Sequence, residues 1–138
     1  MFIDASAIVA VLTREPGFEE LERRLNEIRG TFYVSPLVRY EATLALARAK
    51  SGERRPDAKL VSYAEAVVSA FIEDIGAEEV SIDSKIGVAA IEASARYGKS
   101  VGHAADLNFG DCFAYACARR LGVGLIYKGS DFIHTDLA

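Results

Sequence analysis

Short apolar runs alternate with longer amphipathic stretches along the whole chain. Residues 1–4 are an apolar run that ends on an acid, a minimal first strand. Residues 5–13 read as a helix, stopped at the breaker Glu15-Pro16-Gly17. Phe18, Leu21, Leu25 and Ile28 recur at helical spacing and predict a helix over 18–29, with Gly30 placed to cap its C-terminus. Residues 31–34 (TFYV) are β-rich, and Ser35-Pro36 offers an N-cap and a first-turn proline to a helix over 37–50. After a polar turn at 51–56, Leu60, Tyr63, Ala64, Val67, Val68, Phe71, Ile72 and Ile75 form one stripe, the clearest helix in the chain (59–75). A third strand is predicted over 79–82, a helix over 84–97 and a long irregular loop over 98–108. A helix over 109–121, a fourth strand over 124–127 and a polar tail over 128–138 complete the pattern.

Strands alternating with helices of this length predict βαβ units and a parallel sheet covered on both faces. In such sheets ligands bind beyond the carboxyl ends of the strands, at a topological switch point. Composition narrows the picture. The 138 residues suit a single domain, and 51% hydrophobic with 26% charged residues is a globular balance. Sixteen Lys and Arg against 20 Asp and Glu give a net charge of −4, which excludes gripping nucleic acid by bulk positive charge but not a local encounter. Cys112 and Cys117, five apart on a predicted helix, point to different faces and are expected to be reduced core thiols. The first residues lack the basic region of a secretion signal, and no apolar run approaches the roughly 18 residues of a membrane span. A soluble, cytoplasmic protein without membrane contact is the expectation.

What stands at the strand ends is acidic. Asp4 ends the first strand, and Glu41 lies about one turn into the helix after the second. Asp111 opens the helix after the long loop, and Asp131 follows the last strand. A doubly wound topology brings all four to one edge. Carboxylates gathered there repel one another unless something compensates, and an all-oxygen set without His or Cys selects Mg²⁺ or Mn²⁺ over Zn²⁺. Such an ion keeps several waters, activates one as a nucleophile and neutralises phosphate charge, so the pattern points to phosphate-ester hydrolysis. Each acid also has an ordinary explanation: Asp4 and Asp111 as residues favoured at helix N-termini, Glu41 as a partner of Arg39 or Arg48, and Asp131 as a turn residue.

The segments Phe-Ile-Asp-Ala-Ser, Ser-Pro-Leu-Val-Arg-Tyr-Glu, Leu-Asn-Phe-Gly-Asp-Cys-Phe-Ala-Tyr-Ala and Tyr-Lys-Gly-Ser-Asp-Phe, in that order, resemble a PIN domain. More narrowly they resemble a VapC-type toxin of a bacterial type II toxin–antitoxin pair, across essentially the whole chain. The resemblance implies a three-layer α/β/α fold with a central, mainly parallel sheet of four to five strands, over residues 1–138. It implies a Mg²⁺- or Mn²⁺-dependent endoribonuclease. By the same resemblance Asp4 and Asp111 are the most direct metal ligands, Glu41 binds the ion or orients one of its waters, and Asp131 completes the cluster. Ser6 matches a hydroxyl residue that supports the site. The implied partners are an RNA substrate, a cognate antitoxin protein that blocks the active site, and a second copy of the chain.

Other residues near these motifs are assigned lesser roles. Asp106 departs from the family pattern and is expected to be a solvated loop acid, and Asp136 to act no closer than through a neighbour. His103 and His134 are not required as bases where a metal activates water. Lys128, Arg39 and Arg14 are the basic residues expected nearest the acidic edge, and Arg48, Lys50, Arg54, Arg55 and Lys59 form the densest basic patch. Part of the apolar stripe at 60–75 is expected to line a groove for an antitoxin segment or a dimer interface. A response-regulator receiver lacks support, because Asp4 is followed by Ala5 and Asp57 lies in a polar turn. A haloacid-dehalogenase-type phosphatase needs an acid where Ser6 stands. The alternative of another class is a catalytically silent PIN-like binding module acting only through its partner.

Overall fold

Phe2 and Ile3 are completely buried, because their strand lies between two others. The computed structural model describes residues 1–137; residue 138, the last of the predicted tail, lies outside the described residues. Four two-residue strands, β1 (Phe2–Ile3), β2 (Tyr33–Val34), β3 (Glu78–Glu79) and β4 (Leu125–Ile126), form one sheet in the order β3-β2-β1-β4. Every pairing is parallel, with Phe2 opposite both Tyr33 and Leu125. The helices are α1 (Ala5–Thr13), α2 (Phe18–Glu27), α3 (Pro36–Ser51), α4 (Ala58–Asp74), α5 (Ser84–Tyr97) and α6 (Phe109–Leu121). The fold is therefore α/β around a parallel sheet, as expected, with four strands.

The chain steps outward from β1 to β2 and β3, then returns to lay β4 on the other side of β1. That reversal puts a switch point between β1 and β4, where crevices open at the strands' carboxyl ends. Helix α3 packs on both α1 and α4, while α5 pairs with α6, and α6 also reaches β1 and α3. Helix α6 is buried on almost every side, including Gly110, Asp111, Cys112, Ala114, Tyr115, Ala116, Cys117 and Ala118. Its small residues Gly110, Ala114, Ala116 and Ala118 allow close approach, and Arg119 and Arg120 return its last turn to solvent. Both cysteines are free and buried, and burial pushes the Cys117 thiol up to about 11, which leaves it inert.

The predicted spans of α1, α5 and α6 coincide with the observed ones, each beginning at a side-chain cap (Asp4, Asp83 and Asn108), and α4, capped by Asp57, lies one residue earlier than predicted. Ser35 caps α3 with Pro36 in its first turn, as expected. Three further details differ. Helix α2 ends at Glu27; Ile28 is already extended, and Gly30, at φ 132°, turns the chain toward β2 instead of capping. The third strand is shifted to Glu78–Glu79, and after Val80 donates to the Val34 carbonyl the chain leaves the sheet to reach the α5 cap at Asp83. The loop 98–108 contains a 3₁₀ turn (Lys99–Val101) and a parallel bridge between Gly98 and Leu107.

The stripe on α4 is mostly absorbed by α3: Ala64, Val68 and Ile72 are buried, and Tyr63 is its one large exposed member. The strongest exposed apolar face lies elsewhere, on α5 and the start of α6, where Ile91 is 71% and Phe109 67% exposed. Among the described residues no helix is long and apolar enough to cross a membrane.

Candidate active site

Asp4 is the N-cap of α1, so the residue that ends the central strand is fixed at the moment the helix starts. Its Oδ2 accepts from the Ser6 backbone N–H at 2.9 Å and from the Ser6 hydroxyl. The same hydroxyl oxygen accepts from the Lys128 N–H at 3.0 Å. Ser6 thus ties the end of β1 to the residue two past β4, across the switch point. Asp111 is held by a comparable device. Its Oδ2 accepts from the Asn108 N–H at 2.8 Å while Asn108 Oδ1 accepts from the Asp111 N–H at 3.1 Å, a reciprocal capping box. The ordinary explanation of both acids as helix-start residues is therefore true, and it is also what aims them.

Asp4, Ser6, Glu41, Asn108, Asp111, Lys128 and Asp131 line one cleft of about 490 Å³. The four acids come from four separate segments, and the topology brings them together as the sequence predicts. Asp131 follows β4 and is exposed; its neighbour Phe132 is buried against Tyr127 and anchors that turn. Glu41 reaches the cleft from α3, and its carboxyl group lies against Gly110 at the start of α6.

Electrostatics make this gathering unfavourable by itself. Burial, offset in part by the Ser6 bonds, raises the proton affinity of Asp4. Burial, followed by the charges of Asp4 and Asp111, pushes Glu41 up to about 7. Burial, with Asp4 and Asp131 adding to it, pushes Asp111 up to about 6. Among the described residues no Lys, Arg or His stands within ion-pair distance of any of the four. The ion pair with Arg39 or Arg48 considered for Glu41 is not formed; Arg39 binds Glu79 on β3 and Ser69 on α4 instead. Lys128 lines the cleft, but its Nζ donates to the Pro16 carbonyl at 2.6 Å. Arg14 lies over the Phe18 ring.

This donor set fits a hard divalent cation. Among the described residues no three His, Cys, Asp or Glu side chains are close enough to cage an ion by themselves. Mg²⁺ does not need such a cage, since it is commonly held by one or two carboxylates and keeps its remaining waters. A bound cation would also relieve the repulsion that raises these carboxyl groups.

Residues set aside in the sequence have other work. Asp106 is exposed, in the left-handed region at φ 50°, and pairs loosely with Lys99. Asp136 accepts from the Tyr115 hydroxyl at 2.6 Å and sits beside Arg96 and Arg119, away from the cleft. His103 Nδ1 accepts from the Ala105 N–H and its ring meets Tyr97 edge-on, while His134 is exposed. Asn108 was missed, although Asn three residues before Asp is itself a capping-box signature. A larger groove of about 720 Å³, lined by Ile91, Leu107, Phe109 and Phe113, is apolar and holds no carboxylates. The chemistry belongs to the smaller cleft.

Comparison with known proteins gives a consistent pattern. A family model described as the PIN domain matches residues 1–137. The chain is 54% identical to a VapC ribonuclease of Rhizobium meliloti, across 99% of this chain and 98% of the relative. It is 34% identical to ribonuclease VapC30 of Mycobacterium tuberculosis, covering 100% of this chain and 96% of that one. The crystal structure of M. tuberculosis VapC20, a toxin that cleaves the sarcin–ricin loop, superposes with a TM-score of 0.75 over 99% of this chain and 95% of that one. At 15% identity, that likeness concerns the fold.

Proposed function

The chain belongs to the PIN-domain family, and from that premise we propose that it is a Mg²⁺-dependent endoribonuclease, the toxin of a toxin–antitoxin pair, working in the cytoplasm as a single nuclease domain. Mn²⁺ is an acceptable substitute for Mg²⁺. The observation that carries the reading is the convergence of Asp4, Glu41, Asp111 and Asp131 on one cleft, where among the described residues none of them forms an ion pair. The 54%-identical relative, named as a VapC ribonuclease, supports it along the whole length.

Asp4 and Asp111 would hold the cation most directly, since their carboxyl groups are oriented by Ser6 and by Asn108. Glu41 and Asp131 line the same cleft from α3 and from the turn after β4; Glu41 would bind the ion or orient one of its waters, and Asp131 would complete the cluster. When bound, Mg²⁺ supplies a nucleophilic water and neutralises charge on the phosphodiester. Lys128, at the cleft wall, is the basic side chain nearest an entering phosphate. The net charge of −4 makes RNA binding depend on the cation and on such local contacts.

The proposed partners are RNA, a cognate antitoxin and a second copy of the chain. The face formed by Val88, Ile91 and Phe109 supports self-association, since exposed apolar residues of this size cluster at interfaces. The deciding experiment incubates antitoxin-free protein with structured RNA and Mg²⁺, with and without EDTA. Cleavage that EDTA stops and that Asp4→Asn and Asp111→Asn each reduce by at least about 100-fold is expected, more than the loss of an outer-shell partner usually causes. RNA left intact under every condition would mean a silent binding module.

A further inference from the structure

Gly110, the second residue of α6, has no backbone reason to be glycine. Its φ is not in the left-handed region, and alanine is the better helix former at such a position. Gly87, inside α5, has open space where a side chain would go. Gly110 does not: a Cβ there would stand 2.6 Å from both Cδ and Oε2 of Glu41 and nearer still to Oε1. All three carboxyl atoms occupy the place of the missing side chain.

We propose that Gly110 is a positioning residue: its bare Cα leaves a slot in the first turn of α6 that seats the Glu41 carboxylate of α3 beside Asp111. The slot joins two helices that each bring one acid, and it accounts for how a side chain from α3 reaches the edge of the cleft at the start of α6. The inference deepens the metal-dependent reading and rests on it, because seating matters only if Glu41 serves the cation.

Metal-free protein and its variants are titrated with Mn²⁺ by calorimetry, and their melting is followed in EDTA. Gly110→Ala is expected to melt at or above the wild-type temperature in EDTA, yet to bind Mn²⁺ about 10- to 100-fold more weakly, as loss of an orienting partner does. In a Glu41→Ala background the same change is expected to cost no further affinity, since the seated group is gone. Unchanged Mn²⁺ affinity in Gly110→Ala overturns the proposal, as does an equal further loss in the Glu41→Ala background. If Gly110→Ala fails to fold, the double variant Glu41→Ala/Gly110→Ala restores folding under this proposal; a double variant that also fails overturns it. Wild-type protein that takes up no Mn²⁺ overturns the metal-dependent reading itself, a result seen before any variant is made.

Discussion

Ser6 has one hydrogen to give and gives it to Asp4, while its oxygen receives the Lys128 N–H. Ser6→Ala removes both links. It should lower RNA cleavage by about 10- to 100-fold through a loosened Asp4 and destabilise the fold by about 1–3 kcal/mol through the unpaired N–H. Ser6→Thr should retain most of both, as parallel cleavage assays and thermal melts would show. Residue identity carried much of this site. Asp4 breaks an apolar run, and Glu41 interrupts the apolar pattern of its helix, so both stand out in the chain. What identity could not show is direction. Arg39, two residues from Glu41, faces Glu79 on the edge strand, because positions two apart on a helix project roughly 200° apart and do not face each other, and tertiary packing selects what each one meets. Gly110 was equally silent, since the atom that requires it belongs to a side chain 69 positions away.

Helix starts were readable to within a residue wherever a cap marks them. The starts of α1, α3, α5 and α6 are written in Asp4, Ser35, Asp83 and Asn108, each of whose side chains accepts a backbone N–H two or three residues on. Two-residue strands carry no period of their own, so β3 was placed by composition and shifted. The capping box of α6 makes a prediction at this scale. Asn108→Ala should cost about 1 kcal/mol of stability, the usual worth of such a cap, visible in chemical denaturation. Asn108→Asp should recover the stability but add a fifth carboxylate beside Asp111, so it should not recover cleavage fully. Helices α5 and α6 also present Ile91 and Phe109 to solvent. Ile91→Lys should convert a dimer to a monomer in light scattering while leaving metal binding intact; a wild-type monomer at high concentration would remove the proposed self-association.

At the scale of the whole molecule the acids act against the fold. Asp4, Glu41 and Asp111 all hold protons more tightly when folded than carboxylates do in an unfolded chain, where they titrate near 4. Between roughly pH 4 and 7 the folded state therefore binds more protons, and the free energy of unfolding falls as pH rises. Metal-free protein should melt at a lower temperature near pH 7 than near pH 5. Saturating Mg²⁺ or Mn²⁺ should raise melting most at the higher pH, because binding there displaces the fewest protons. Differential scanning fluorimetry with EDTA or metal across that range tests the sign, and a melting temperature independent of pH in EDTA would contradict it.

The pairing of Phe2 with Leu125 sets the order in which this molecule can become whole. Segments emerge in chain order during synthesis, so Asp4 is delivered before Asp111 and Asp131, which come from later segments. Until β4 docks beside β1, Ser6 has no Lys128 N–H to hold and the cleft has no far wall. A copy in which β4 has not docked therefore lacks an assembled acidic cleft, so the topology withholds the site until the sheet closes.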